Sequence, residues 1–219
     1  MQRCAVFALA VLCGAMSLVA CSGESPSSPS PAAVDGPSGS AASAQAASRS
    51  IAPMIVFPNG PELPGTSTLT RTDGGISMTV HATDLIPNNA YTVWFVIFND
   101  PGQCAVPDDC AVPDVFANRG TPSLRLAAGH VVGGSGLGDF GGHLSVGDTG
   151  GPACSSNPAT LGSCGPGLLD ARNAIVHLVV RSHGPAIPDL VSEQISSFLG
   201  ACSINGCANV QAAIHKPVQ

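Results

Sequence analysis

The chain has 219 residues, 44% hydrophobic but only 10% charged, with 26 Gly, 19 Pro and a formal net charge of −6. Globular chains average about 25% charged residues, so the composition argues against helical bundles and coiled coils, and its acidic balance is the wrong sign for gripping nucleic-acid phosphates. The apolar share is too high for a chain disordered throughout, which leaves a loop-rich, all-β protein. Arg3 gives a short positive start, and residues 5–20 form an unbroken run of 16 apolar or small residues. That is short of the roughly 20 needed to span a bilayer as a helix, so the segment reads as an export signal.

From Ser22 to Ser50 every residue except Glu24, Val34, Asp35, Gln45 and Arg49 is Ser, Gly, Pro or Ala. Nothing there can be buried to offset ordering entropy, so a flexible tether with a reach of about 30 Å is expected. The expected organisation is a signal over 1–20, Cys21 and the tether over 21–52, and one domain over 53–219. That last stretch is long enough for a core of its own.

Strand patterns dominate the domain. Residues 66–72 are a candidate first edge strand. Residues 76–83 alternate strictly, with Ile76, Met78, Val80 and Ala82 on one face and Ser77, Thr79, His81 and Thr83 on the other. Residues 91–98 (YTVWFVIF) are apolar on both faces, as in a central strand. Residues 124–132 and 140–146 flank a Gly-rich turn and read as a hairpin. Residues 174–181 form another two-sided apolar strand, and 210–215 the last one. A helix over 189–200 is capped by Asp189 and ended by Gly200, with a turn and strand as its alternative. About seven short strands predict a single antiparallel β-sandwich with long loops.

Two resemblances sharpen this. Leu18-Val19-Ala20-Cys21 resembles the lipobox of bacterial lipoproteins. The resemblance implies cleavage before Cys21, its diacylglyceryl modification and acylation of the new N-terminus, and several acyl chains anchor durably to a membrane. Ser22 resembles the outer-membrane sorting class if the cell is Gram-negative; otherwise the outer face of the plasma membrane is implied. Leu85-Ile86-Pro87-Asn88-Asn89-Ala90-Tyr91 resembles the L-x-P-x-x-x-Y connection of immunoglobulin and fibronectin-III sandwiches. There a tyrosine hydroxyl bonds back to the connection, the role implied for Tyr91.

The chain has nine Cys. Cys4 and Cys13 fall in the signal and Cys21 is the lipidation site, so six remain, with fifteen possible pairings in an oxidising compartment. They fall in three close pairs in turn-rich stretches: Cys104/Cys110, Cys154/Cys164 and Cys202/Cys207. Three local staples are expected, each contributing about 2–3 kcal/mol at most because the loops are short. No C-x2-C spacing supports metal-bound cysteine.

Histidine is the main candidate for chemistry. His81, His143 and His177 lie on the less apolar parity of their strands, and if those strands neighbour one another the three could bind Zn or Cu. Such a site is similar to that of copper- and zinc-dependent superoxide dismutases, although no His-x-His pair is present. The plain alternative is scattered surface histidines. His130 reads as a core histidine and His215 as terminal. Gly136 to Gly141 matches G-x-G-x-x-G by letter but lacks its βαβ context, and Ser135 lacks the G-x-S-x-G frame of a nucleophile. Asp108, Asp109 and Asp114 read as an acidic loop rather than a Ca²⁺ site, and Asp170 with Arg172 as an ion pair.

The expectation is therefore a lipid-anchored envelope protein acting as a binding or structural module, with no complete catalytic constellation. Its partners would be the membrane, through the lipid, and a protein or carbohydrate ligand, not nucleic acid. A His-based Zn or Cu site and, after it, a hydrolase are the rival expectations.

Overall fold

The computed structural model describes residues 46–149 and 164–217. The expected signal, Cys21, most of the tether and Cys154 lie outside the described residues. The elements are β1 (Ser48–Val56), β2 (Glu62–Thr72), β3 (Gly75–Ala82), β4 (Asn89–Phe98), α1 (Val112–Phe116), β5 (Pro122–Val131), β6 (Gly138–Ser145), β7 (Ile175–Pro185), α2 (Val191–Gln194), α3 (Cys202–Asn205) and β8 (Ala208–His215). All eight strands belong to one antiparallel sheet in the order β5-β4-β7-β8-β1-β2-β3-β6. The protein is all-β, as composition and alternation require.

The two end strands of that order, β5 and β6, come together. The His130 and Phe140 rings stack with centroids 4.4 Å apart, and a Cβ on Gly142 would lie 2.6 Å from the Ala127 carbonyl oxygen. The sheet is therefore nearly closed around one core. The expected hairpin of β5 with β6 is corrected: β5 ladders only with β4 and β6 only with β3 among the described residues. The turn between them crosses the line of closure instead of joining paired strands.

Alternation sets what faces the core. On β3, Ile76, Met78, Val80 and Ala82 are buried while Ser77, Thr79 and His81 are exposed. Their inner partners include Leu69 on β2, Phe140 and Leu144 on β6, and Phe95, Ile97, Val176 and Leu178 on β4 and β7. Each such fully buried aliphatic or aromatic side chain contributes roughly 1.5–3 kcal/mol of transfer free energy. β4 and β7 are apolar on both faces because loops cover their outer face. Phe98 and Ile175 pack there against Cys104 and Cys110, and Trp94 and Leu124 against Phe198 and Cys164.

Three more expectations change. β1 begins at Ser48, inside the segment read as tether. Its first residues carry no apolar pattern and are held instead by the ladder to β2 and by Ser50 Oγ, 2.8 Å from His215 Nδ1. β2 is not an edge strand but lies between β1 and β3. The helix expected over 189–200 shrinks to α2, four residues long, and the Ile195 backbone that follows it packs directly against Gly129 on β5. Tyr91 is buried, and its hydroxyl accepts the Ile86 N–H at 2.9 Å. The turn it closes uses Asp84 and Asn88 at positive φ, which short polar side chains tolerate.

Candidate functional site

The outer face of β4 and β7 pairs Trp94 with Val179, Val96 with His177 and Phe98 with Ile175 across the ladder. Two crosslinked connections rise beside it. The 99–121 connection carries Cys104–Cys110 and α1, and the 186–207 connection carries α2, α3 and Cys202–Cys207. Between them lies a small cleft of about 90 Å³. Trp94, Val96, His177 and Val179 contribute from the strands, Val112, Val115 and Phe116 from α1, and Phe198 from the second connection. Clefts that hold small molecules share this predominantly apolar and aromatic lining.

The walls are fixed. Phe198 meets Trp94 edge-to-face at 5.1 Å, and the Arg181 guanidinium lies 4.1 Å over the Phe198 ring centroid. Such aromatic and cation–π contacts favour a single arrangement. Asp114 is buried and accepts the Ala105 and Ala111 N–H groups at 2.8 and 2.9 Å, which pins α1 to its loop. Phe116 stays 62% exposed at the rim.

His177 is the polar exception in this lining. It is 7% exposed, and its Nε2 has no hydrogen-bond partner. Burial pushes its pKa down to about 4, against the opposing pull of Asp109 and a hydrogen bond to the Cys110 backbone, so the ring is neutral at pH 7. The nearest charges, Asp109 and Lys216, form an exposed pair at 2.8 Å.

His81, His143 and His177, the three candidates for a shared Zn or Cu site, do not come together. His81 on β3 is exposed and hydrogen-bonds Asp139 through Nδ1 at 2.6 Å. His143 on β6 is exposed beside Ser77 and Ser145, and its register partner Ser77 lies four residues along β3 from His81. His177 lies on β7, four strands from β3 in the sheet order. Period-2 reading placed all three on outer faces correctly but could not see strand order.

The remaining candidates have structural partners. His215 is buried with Ser50 and Ser67 hydroxyls on its two ring nitrogens, not terminal and free. His130 stacks on Phe140 and is half-buried. Asp170 caps the Arg172 and Asn173 N–H groups, while Arg172 Nε bonds Asp73 at 2.9 Å. Ser135 is in an exposed turn whose Leu137 N–H bonds its hydroxyl. Cys104–Cys110 and Cys202–Cys207 are formed as local staples. Cys164 is also disulfide-bonded, and its expected partner Cys154 lies outside the described residues.

Sequence reasoning places His183 only on the less apolar parity it shares with His177. It has no exposed surface, and the Gly200 carbonyl 3.0 Å from its Nδ1 can only accept, so Nδ1 carries the proton. Nε2 then accepts from the Thr92 hydroxyl at 2.8 Å, and Thr92 Oγ1 in turn accepts the Trp94 indole N–H at 2.7 Å. The same Nδ1 is 3.4 Å from Cys207 Sγ. Only the fold, which brings residues 200–207 back over β7, reveals this. Comparison of the chain with protein-family models, curated proteins and solved structures finds no match in any of the three.

Proposed function

We propose that this is an exported, lipid-anchored binding protein that takes a small, largely apolar molecule in the cleft over β4 and β7. The observation that carries the reading is the cleft itself: an aromatic and aliphatic lining braced by crosslinked connections, with one neutral, hydrogen-bond-deficient His177 among it. An apolar cavity with few polar groups recognises shape first and one polar group second. The lipobox-like Leu18-Val19-Ala20-Cys21 supports attachment to an envelope membrane, and the Ser/Pro/Ala/Gly stretch after it supports a leash that lets the domain sample its surroundings. For the architecture, the Tyr91 bond to the 84–88 connection supports the immunoglobulin-like reading, and the unbroken strand order supports a sheet wrapped around one core.

Trp94 is the only tryptophan of the chain and lines the cleft, so its emission reports occupancy. Titration of the full chain with medium-chain alcohols and fatty acids is expected to shift Trp94 emission saturably and raise the melting temperature. Val179→Phe, which fills the cleft floor, is expected to abolish both responses. If no member of such a panel perturbs Trp94, the binding reading is wrong.

A further inference from the structure

We propose that His183, Cys202 and Cys207 form a three-ligand site for a thiophilic divalent cation such as Zn²⁺, closed while the Cys202–Cys207 disulfide is intact and opened by its reduction. Among the described residues this is the only group of three His, Cys, Asp or Glu whose donor atoms all lie within 4.8 Å of one another. Two thiolates and an imidazole are a zinc ligand set that leaves a fourth position for water.

The geometry is close to what the ion needs. Zn–S near 2.3 Å and Zn–N near 2.05 Å in a tetrahedron put S and N about 3.6 Å apart and the two sulfurs about 3.8 Å apart. His183 Nδ1 and Cys207 Sγ already stand 3.4 Å apart. The second separation is one that two unbonded sulfurs adopt anyway on losing their covalent bond. Both cysteines are half-buried and so within reach of a small reductant, whereas Cys104 and Cys110 are buried at 6% and 4% exposure. Arg181, held by Phe198 O and Asn209 Oδ1, keeps a positive Nη2 3.8 Å from Cys202 Sγ, a charge that favours the opened pair.

The steps balance. An external dithiol delivers two electrons and two protons to the Cys202–Cys207 bond and becomes a disulfide itself. Binding of the cation releases the two thiol protons. The proton on His183 Nδ1 leaves the Gly200 carbonyl and reappears on Nε2, which turns from acceptor to donor toward Thr92 Oγ1. That oxygen has two lone pairs and keeps the Trp94 N–H as well, while its own O–H, no longer donated to Nε2, rotates away from the ring. Such a hydrogen bond behind the ring is what orients metal-bound histidines.

The test uses Co²⁺ as an optical probe on the full chain under anaerobic conditions, with graded phosphine reduction and alkylation mapping of the thiols. Cys202 and Cys207 are expected to open first. The reduced protein is then expected to take up one Co²⁺ with sulfur charge-transfer and tetrahedral visible bands that Zn²⁺ bleaches, while the oxidised protein shows neither. His183→Gln is expected to weaken Co²⁺ at least tenfold and change the visible bands. Should that variant fail to fold, Cys207→Ser, with the disulfide already absent, is expected to lose most of the charge-transfer band while keeping its far-ultraviolet spectrum. Absence of the bands in the reduced protein, or binding equally tight in His183→Gln, overturns the proposal.

Discussion

His177 and His215 are buried imidazoles whose environments favour the neutral ring. Burial lowers each to about 4, and for His215 the Arg71 guanidinium, whose Nη2 bonds the His215 carbonyl at 3.1 Å, adds to the effect. Unfolded histidine titrates near pH 6.5, so on acidification the unfolded chain takes up protons before the native one. The stability these rings contribute is complete above about pH 6.5 and is lost as the pH falls toward 4. A shift of this size corresponds to roughly 3 kcal/mol per ring. Melting temperature is therefore expected to be flat above neutrality and to drop steeply between pH 6.5 and 4. His177→Leu should make the drop clearly shallower, and an unchanged pH profile in that variant would show that its burial does not govern acid stability. Arg71 remains charged at neutral pH: desolvation lowers it only to about 10 against the opposing pull of Asp170, and its guanidinium bonds the Ala171 and His215 carbonyls.

Among the elements, the meeting of β5 and β6 depends on a residue with no side chain. Gly142 presses its backbone against the Ala127 carbonyl, and any Cβ there must push the two strands apart. Gly142→Val is expected to cost about 1–3 kcal/mol through overpacking, with amide exchange accelerating along β5 and β6 while β1 and β2 keep their protection. Uniform acceleration across the sheet would place the closure elsewhere. These elements also mark how far the sequence could be read. Strands β3, β4 and β7 were legible because burial on one or both faces writes itself as alternation or as a continuous apolar run. The pairing of β5 was not, since a short turn between two strands is compatible with a hairpin or with a crossing of the line where the sheet nearly closes. β1 was hidden because its start is fixed by main-chain bonds and a Ser50–His215 contact, neither of which leaves an apolar trace. The cleft was half legible: His177 was placed on the less apolar parity of its strand, but nothing in the sequence shows that the two crosslinked connections rise over that face.

At the scale of the whole molecule, the sheet is dressed on one side and bare on the other. Crosslinked connections cover β4 and β7, while β3 and β6 present Ser77, Thr79, His81, His143 and Ser145 to solvent. The proposed lipid anchor predicts that Cys21→Ser abolishes lipid labelling and leaves a larger, unprocessed precursor, and labelling that persists in this variant would refute the anchor. The scarcity of ions has its own kinetic consequence. Near the cleft the charges of Asp109 and Lys216 oppose each other at 2.8 Å, and on the bare side His81 is matched by Asp139. Electrostatic steering needs an unbalanced field at the entrance, and screening by salt removes whatever field exists. A medium-chain alcohol, carrying no charge, feels no such field and would reach this protein by unassisted diffusion, its association rate nearly the same in fresh water and in brine.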